Sequence, residues 1–284
     1  MTHTCKILVT GATGFLGSAI CRRLTGAQTF IPMGFSSCPP GGLQADLRQV
    51  GEVDRLVQEL KPDVVVHAAA IREPDICEEN PEEAALMNAK VPARFARALP
   101  ESSRLIHIST DYVFNGQTPP YDEQDPACPV NEYGRTKAEA ETAVLAHPGA
   151  LVLRIPVLVG EGPGFIQQML EALRDTSPRE VDDVLIRHPT WTEDVAEVCA
   201  WLIQTERSGI WHASSERGDT RYELTRRVGR CLGMSSDHLI PSHTVIPRKA
   251  TRPLNTELSP KKLLKAGGPA CKELEDVLRA LGIT

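Results

Sequence analysis

Residues 6–17 read KILVTGATGFLG, and they are the strongest indication of the fold in this sequence. The apolar run at 6–9 is typical of a buried parallel strand, and the segment SAICRRLTG that follows has helical character. A strand, a glycine turn and a helix in succession are the context in which a glycine motif binds a dinucleotide. The start of such a helix offers free N–H groups and a positive dipole end to phosphates. We therefore predict a dinucleotide-binding turn here, with a ligand-free turn as the alternative.

The glycines of this turn have separate physical roles. Gly11 permits the tight turn, Gly14 lets the backbone approach a pyrophosphate, and Gly17 lets the helix pack closely on the sheet. Their spacing is G-x-x-G-x-x-G rather than G-x-G-x-x-G. The prediction therefore depends on the strand and helix around the glycines as much as on the glycines themselves.

A tyrosine and a lysine form the second informative pair. Tyr133 and Lys137 lie four residues apart in NEYGRTKAEAETAVL, a stretch predicted to be helical, so both side chains lie on one helix face. An ammonium group beside a phenol favours the phenolate, so the pair could exchange a proton near neutral pH. The alternative is a pair without a function on a solvated helix face.

A third stretch, RLIHISTDYVFNG at 104–116, reads as another buried strand with hydroxyl side chains at its carboxyl end. Ligands of open α/β sheets bind outside the carboxyl ends of the strands. A hydroxyl of Ser109 or Thr110 could therefore hold a carbonyl or alcohol oxygen of a substrate. The alternative is that Thr110 or Asp111 only caps the following loop. We expect His67 and His107, which lie on strands, to be packed core residues rather than ligands.

Strands and helices alternate through the first half of the chain. Strands are predicted at 6–9, 29–34, 63–67, 104–108 and 151–155, and helices near 15–25, 50–60, 82–98 and 132–146. This rhythm predicts an α/β fold, a doubly wound parallel sheet of the Rossmann type. The pattern weakens after about residue 156, where helices are predicted at 165–175, 192–206 and 221–233.

These elements, in this order, resemble the extended short-chain dehydrogenase/reductase superfamily over nearly the whole chain. The segments STDYVFNG, PPYDEQDP and YGRTKAEAE resemble the dTDP-4-dehydrorhamnose reductase subfamily more narrowly. Within it, RIPVLVGE and IREPD favour the branch that contains the regulatory β subunit of methionine adenosyltransferase. The resemblance implies an NAD(P)-binding domain over 1–156 and a smaller, discontinuous substrate-binding lobe mainly over 157–284, with 192–206 packing back on the first domain.

The resemblance also assigns site residues. It implies Tyr133 as the proton donor, Lys137 as the group that lowers the Tyr133 pKa and bonds the nicotinamide ribose, and Thr110 as the holder of the carbonyl oxygen. The implied substrate-binding residues are Thr110, Asp111, Tyr112 and Arg252, of which Arg252 matches a family position facing the diphosphate of a nucleotide sugar. For Arg252 the alternative is a salt bridge on a solvated loop. The expected cofactor-binding residues are Gly11, Thr13, Gly14, Phe15, Leu16, Gly17, Ser36, Ser37, Asp46, Leu47, Ala68, Ala69, Ala70, Asn88, Tyr133, Lys137 and Ile155.

The end of the second strand bears on the choice of cofactor. NAD-selective sites carry an acidic residue there that bonds the ribose 2′-OH, and MGFSS at 33–37 has none. Ser36 and Ser37 can donate hydrogen bonds to a phosphate, although no arginine stands beside them. We expect NADP(H) to be preferred over NAD(H). Asp46 resembles the family residue at the adenine edge, with a helix N-cap as the alternative.

Composition excludes several classes of protein. The 284 residues carry a formal net charge of −6, which argues against a dedicated nucleic-acid surface. No apolar run approaches the length needed to span a membrane, and the N-terminus enters the first strand without a signal segment, so we expect a cytoplasmic location. The eight cysteines are scattered, with no C-x-x-C, so we expect free thiols and no metal site.

The function that these observations favour is reduction of a keto-sugar nucleotide by NADPH. Related dehydratases carry an acidic pair after the threonine, whereas Asp111 is followed here by Tyr112. One alternative is a non-catalytic regulatory protein that binds NADP(H) and docks on an enzyme, and another is a reductase of some other small ketone. The intact threonine, tyrosine and lysine set and the short C-terminus favour an enzyme. The expected protein partners are a second copy of the chain, in a homodimer, or a docking partner enzyme. An enzyme requires a cleft between the two lobes, with Thr110 and Tyr133 facing it and Arg252 on its far side.

Overall fold

A parallel sheet of seven strands forms the centre of the protein, and the computed structural model describes residues 5–26, 29–37, 40–162 and 164–283. In chain order the strands are β1 (Lys6–Thr10), β2 (Thr29–Gly34), β3 (Leu43–Gln44), β4 (Val64–His67), β5 (Arg104–Thr110), β6 (Ala150–Ile155), β7 (Leu158–Val159), β8 (Arg179–Asp182), β9 (Ile186–Arg187), β10 (Thr190–Trp191), β11 (Gly209–His212), β12 (Asp219–Thr220) and β13 (Leu239–Ser242). The order in the central sheet is β11-β6-β5-β4-β1-β2-β3, and every neighbouring pair is parallel. The remaining strands form three small two-stranded sheets.

Helices connect the strands and cover both faces of the sheet. In chain order they are α1 (Phe15–Leu24), α2 (Glu52–Leu60), α3 (Pro74–Glu79), α4 (Pro81–Ala85), α5 (Val91–Ala98), α6 (Glu132–Val144), α7 (Phe165–Arg174), α8 (Thr192–Gln204), α9 (Arg221–Leu232), α10 (Lys261–Lys265) and α11 (Leu274–Ala280). The five predicted strands all form, and the order of the sheet confirms the Rossmann-type, doubly wound fold.

The prediction of one continuous α-helix over 82–98 is wrong in one respect. A π-helical segment at Leu86–Lys90 stands between α4 and α5. Pro92, at the start of α5, has no N–H, and in a regular α-helix its ring would clash with the carbonyl of the residue four positions earlier. That residue is Asn88, which lies in the widened turn. The wider turn therefore accommodates the proline and sets the position of Asn88.

Alternating residues of the central strands pack into two separate hydrophobic cores, one on each face of the sheet. Ile7 and Val9 of β1 pack with α1 and α8 on one face, whereas Leu8 packs with α2 and α5 on the other. All three side chains are fully buried. Burial on both faces is the property of parallel sheets that produces the continuous apolar runs seen in the sequence.

The second half of the chain forms a smaller lobe and also adds a helix and a strand to the domain of the central sheet. Helices α7, α9 and α11 share a third core, in which Met169, Leu224 and Val277 are fully buried. Helix α8 instead packs on α1. Strand β11 extends the central sheet beside β6, a return that no sequence pattern indicated. The division of domains at residue 156 stays a prediction.

Within the described parts of the chain no helix has the length and apolar character to cross a membrane. No group of three metal-binding side chains occurs in the same parts. The seven cysteines that the structure describes are free thiols, and Cys38 lies outside the described residues.

Candidate active site

A cleft of about 990 Å³ lies at the carboxyl ends of the central strands, between the sheet and the lobe of α7 and α9. Its wall includes the glycine turn, the ends of β4, β5 and β6, and side chains from the lobe. Of the predicted site residues, those that line the cleft are Gly11, Thr13, Gly14, Phe15, Leu16, Gly17, Asp46, Leu47, Ala68, Ala69, Ala70, Thr110, Asp111, Tyr112, Tyr133, Lys137, Ile155 and Arg252. The structure thus brings together on one cavity residues that are far apart in sequence.

The glycine turn has the geometry that a dinucleotide phosphate needs. Gly11 adopts a positive φ of 68°, and the Gly14 N–H donates to the Gly11 carbonyl at 2.9 Å. A Cβ on Gly11 would lie 2.8 Å from the backbone nitrogen of Ala69, and a Cβ on Gly17 would lie 2.1 Å from the Gly11 carbonyl oxygen. Only glycine permits these approaches, which leave the backbone at the start of α1 open to the cleft. The turn therefore fits a nicotinamide dinucleotide.

Three predicted cofactor residues do not line the cleft. Ser36 and Ser37 are exposed just beyond the end of β2. Asn88 is buried, and its amide accepts from the Ile71 N–H at 2.8 Å and donates to the Ile71 carbonyl at 2.9 Å. Asn88 therefore fixes the backbone that follows β4, and this backbone lines the cleft. Direct contact of these three residues with a cofactor stays a prediction.

The structure adds an arginine at the end of β2 that the sequence analysis missed. The Arg48 guanidinium lies 4.6 Å from the centre of the Phe35 ring and donates to Asp46, with Nε 2.8 Å from Oδ1. It also pairs with Glu83. Hydrogen bonds from Arg48 lower the pKa of Asp46, so that carboxylate is charged. Strand β3 places Arg48 beside β2, and the motif QADLRQ, with an arginine two residues after the aspartate, was the available indication.

The tyrosine and lysine occupy the first turns of α6. The helix begins at an Asn131 cap, whose Oδ1 accepts from the Gly134 N–H at 2.8 Å. Burial raises the pKa of the Tyr133 phenol, and its hydrogen bond with Thr110 acts in the opposite direction. Burial also lowers the pKa of Lys137 to about 7. The structure therefore brings Thr110, Tyr133 and Lys137 to the lining of one cleft, and their catalytic roles stay a prediction.

The ammonium of Lys137 has two partners behind the cleft. It donates to the Ile108 carbonyl at 2.6 Å, and its Nζ lies 2.9 Å from Nε2 of His107. The position of His107 on a strand predicts a packed core residue, and the residue is indeed fully buried. Its contact with Lys137 joins two residues that no local pattern connects. The effect of Lys137 on the Tyr133 phenol stays a prediction.

The two hydroxyl groups at the end of β5, those of Ser109 and Thr110, differ in how far other residues already engage them. Ser109 donates to Glu141, which also binds Arg154 in a buried ion pair, so the Ser109 hydroxyl is already engaged. The Thr110 hydroxyl accepts from the Tyr112 N–H at 3.1 Å and donates to Asp111 at 3.1 Å. Thr110 therefore caps the following turn and also lines the cleft.

Asp111 lies at the floor of the cleft and is almost fully buried. Its carboxylate accepts hydrogen bonds from the hydroxyls of Thr110 and Thr256. Burial raises the pKa of Asp111 to about 6, although these hydrogen bonds oppose the shift. The carboxyl group therefore joins the end of β5 to the segment around Thr256, which comes from the second half of the chain.

The lobe supplies a basic wall of four arginines to the cleft: Arg187, Arg221, Arg248 and Arg252. Arg252 forms a two-pronged pair with Asp75 of α3, at 2.8 and 3.3 Å, so its charge is compensated. Among the described residues the other three have no carboxylate within ion-pair distance. Burial and the neighbouring Arg248 charge lower the pKa of Arg221. Asp111, Asp182 and Asp75 offset part of this positive charge from a longer distance. Three guanidinium groups without an ion-pair partner on one wall nevertheless favour an anionic ligand.

Together, the parallel sheet, the glycine turn and the Thr110, Tyr133 and Lys137 set define a class of protein. They are the features of the NAD(P)-dependent oxidoreductases of the extended short-chain dehydrogenase/reductase superfamily, and the chain is a member of it. Within that superfamily the chain belongs to the family described as RmlD substrate binding domain, whose model matches residues 5–281. The predicted family is confirmed.

Similar proteins fall into two kinds. The chain is 35% identical over 271 residues to methionine adenosyltransferase 2 subunit beta of Danio rerio, across 91% of this chain and 84% of that one. It is 34% identical over 281 residues to a probable dTDP-4,6-dihydroxy-2-methyloxan-3-one 4-ketoreductase of Streptomyces antibioticus, across 96% of this chain and 92% of that one. Relatives therefore include both a protein named as an enzyme subunit and a protein named as a ketoreductase.

Solved structures agree with this assignment. A dTDP-4-dehydrorhamnose reductase from Clostridium acetobutylicum superimposes with a TM-score of 0.89 at 31% identity, covering 98% of each chain. A dTDP-4-dehydrorhamnose reductase from Bacillus anthracis, in complex with NADP, superimposes with a TM-score of 0.88 at 25% identity, covering 100% of this chain and 99% of that one. The fold therefore matches these proteins from end to end.

Proposed function

We propose that this protein is an NADP(H)-dependent reductase of a keto-sugar nucleotide. The observation that carries the proposal is the meeting of Thr110, Tyr133 and Lys137 on a cleft that also contains the glycine turn and a basic wall. The Streptomyces antibioticus relative, named as a ketoreductase of a dTDP sugar, supports the same activity. A cytoplasmic location is part of the proposal.

The chemistry follows from the side chains on the cleft. The nicotinamide, when bound, supplies the hydride that reduces a ketone. When a ketone binds, the Thr110 hydroxyl turns its one proton from Asp111 to the ketone oxygen. Tyr133 gives that oxygen a proton as negative charge develops on it. The Lys137 ammonium stabilises the tyrosinate that remains. All three residues line the cleft in which the ketone would bind, which supports these roles.

The basic wall supports a nucleotide sugar rather than a neutral ketone. A diphosphate is a strong acceptor for guanidinium groups, which bind phosphate with charge-assisted hydrogen bonds. The sequence analysis assigned this role to Arg252, but the Asp75 carboxylate already occupies its guanidinium. Arg187, Arg221 and Arg248 have no ion-pair partner among the described residues, so we assign the diphosphate to these three.

Replacement of Arg221 tests the substrate class. Arg221→Gln removes one charged donor, and we expect the KM for the nucleotide sugar to rise about tenfold with a smaller change in kcat, as loss of a charged hydrogen bond implies. Steady-state kinetics with a keto-sugar nucleotide measure both constants. Arg230→Gln, at an exposed position on the same helix, is the control and should leave KM unchanged. Equal KM values for the two variants would argue against a diphosphate site here.

The preference for NADP(H) is proposed on the position of Arg48. An arginine near the end of the second strand can bind the 2′-phosphate of NADP by donating hydrogen bonds to it. Arg48 lies over Phe35 at this point and lines the cleft. Its guanidinium is shared with Asp46 and Glu83, and Glu83 is an exposed carboxylate that a phosphate could replace. The Bacillus anthracis structure contains NADP, which supports a nicotinamide cofactor in this fold.

Two opposite substitutions test this preference. Arg48→Gln should weaken NADPH binding about tenfold and leave NADH binding nearly unchanged, because only NADPH carries the 2′-phosphate. Glu83→Gln removes the competing carboxylate, so it should strengthen NADPH binding. Calorimetric titration of both cofactors measures the two affinities. A parallel loss of NADPH and NADH affinity in Arg48→Gln would show that Arg48 serves the adenine or the fold instead.

The second candidate is a non-catalytic protein that binds NADP(H) and docks on another enzyme or a second copy of the chain. The similarity to the Danio rerio subunit favours it. Such a protein needs the glycine turn but has no need of a ketone site or a basic wall. Co-purification with a methionine adenosyltransferase catalytic subunit, together with no turnover of ketones, would support this candidate. Turnover of a small ketone without a nucleotide would instead indicate a reductase of another substrate class.

A further inference from the structure

The Lys137 ammonium is held by two acceptors that leave one of its protons for the cleft. An ammonium group has three donors and no acceptor. One donates to the Ile108 carbonyl at 2.6 Å, and a second points at Nε2 of His107 at 2.9 Å. Lys137 is 2% exposed, yet it lines the cleft. The two contacts behind the cleft thus determine where the third proton points.

The protonation of His107 follows from its surroundings. Its ring is fully buried, and burial together with the Lys137 charge holds the pKa of His107 well below its usual value. The ring is therefore neutral and carries one proton. An ammonium can donate only to an unprotonated ring nitrogen, so the proton must be on Nδ1. Within the described residues Nδ1 has no hydrogen-bond partner. A buried unpaired donor costs stability, so folding alone does not account for this histidine.

A second histidine holds the plane of the first. His67 on β4 lies opposite His107 on β5 in the sheet register, and the two rings stack with centres 5.6 Å apart. His67 is itself fixed, because its Nδ1 lies 2.8 Å from Oγ1 of Thr10, its register partner on β1. The three side chains form a row across adjacent strands. This row gives His107 one ring orientation, with Nε2 directed at Lys137.

We propose that His107 is a positioning residue, whose Nε2 acts with the Ile108 carbonyl to aim the Lys137 ammonium at the cleft. Its remaining proton is then available to the Tyr133 phenol and to a ribose hydroxyl of the cofactor. The kinetic part of this inference rests on the proposed reductase activity. The ring protonation and the cofactor affinity do not, so failure of the activity and failure of the inference can be distinguished.

The charges around Lys137 determine the effect of removing His107. On its own helix the titratable neighbours are Tyr133 and Glu141, and Glu141 is the one carboxylate that raises the Lys137 pKa. That carboxylate is bound by Arg154 of β6 and by Ser109 of β5. The groups facing Lys137 from β5 and β4 are the neutral His107 and His67. Loss of the His107 acceptor therefore disfavours the ammonium, and the Lys137 pKa should fall below about 7.

Three variants test the proposal. His107→Leu keeps about the same side-chain volume and removes the acceptor. We expect kcat and the NADPH affinity each to fall about tenfold. Lysine-selective NMR of the cofactor-free protein should show Lys137 titrating at lower pH. His107→Gln retains an acceptor and should recover both constants to within about threefold. His147→Leu, a buried histidine that contacts Pro100 and Gly149, is the matched control and should change none of these values. Equal effects of the two leucine variants, or an unchanged Lys137 titration in His107→Leu, would overturn the proposal.

If His107→Leu does not fold, a measurement on the unaltered protein can still show whether His107 accepts a hydrogen bond from Lys137. Nitrogen-15 NMR of the histidine rings at about pH 6, below the Lys137 pKa of about 7, reports which His107 nitrogen carries the proton. We expect the proton on Nδ1 and an unprotonated, hydrogen-bonded Nε2. A proton on Nε2 would mean that His107 does not accept from Lys137, and would overturn the proposal.

Discussion

Tyr133→Phe is expected to lower kcat at least about a hundredfold, while the affinity for NADPH changes little. The phenol, which lines the cleft with the Thr110 hydroxyl, is the proposed proton donor, and general acid catalysis is worth about 10²–10⁴-fold. The ring itself remains, so its edge contact with Tyr112, at 6.1 Å between ring centres, can be retained. Steady-state kinetics and a cofactor titration measure the two quantities.

The matched control for this variant is Tyr121→Phe. Tyr121 is a buried tyrosine whose hydroxyl contacts Asn115 and the backbone of the loop at 117–118, and it does not line the cleft. Its loss should reduce stability and leave kcat close to normal. Near-normal turnover in Tyr133→Phe would refute the assigned proton donor. Equal losses in both variants would indicate a structural effect instead.

Gly14→Val is expected to abolish cofactor binding and leave the fold intact. Gly14 is exposed and has φ −77° and ψ 170°, which any residue adopts, so a side chain does not strain the backbone. A Cβ would lie 3.1 Å from the Gly11 carbonyl oxygen, a contact that a small shift relieves. The branched side chain would nevertheless occupy the cleft where a pyrophosphate must approach the start of α1.

Thermal unfolding measures this effect. A ligand at about 100 times its Kd stabilises a protein by about 2.7 kcal/mol, so NADPH should raise the Tm of the unaltered protein and have no effect on Gly14→Val. The Tm without ligand should be similar for both proteins. A normal NADPH-dependent rise in Gly14→Val would refute the assignment of the turn.

Local patterns in the sequence predicted the parts of the molecule that depend on neighbouring residues. The strand β1, the glycine turn and α1 form one continuous segment, so their order already specified a nucleotide-binding unit. Tyr133 and Lys137 share a helix face for the same local reason. Thr110 lies at the end of a strand, and strand ends in a parallel sheet meet at one edge. These features required no knowledge of distant contacts.

The features that the sequence did not reveal all depend on contacts between distant segments. Arg48 reaches Phe35 only because β3 pairs with β2. The Ser109 hydroxyl is engaged because α6 brings Glu141 to β5. The charge of Arg252 is compensated because the lobe brings it to Asp75 of α3. No periodicity or motif specifies such partners, so the sequence identified candidate residues but could not say which of them remain free for a ligand.

NADPH oxidation by the unaltered protein with a panel of keto-sugar nucleotides tests the proposed reductase activity directly. The free keto sugars and the nucleoside diphosphate serve as controls, and mass spectrometry identifies the alcohol formed. We expect at least one nucleotide sugar to be reduced, with one alcohol formed per NADPH consumed and a kcat of about 1–10³ s⁻¹. Its free sugar should react far more slowly. A protein that binds NADPH yet oxidises it with no member of the panel would refute the reductase activity and favour the non-catalytic binding role.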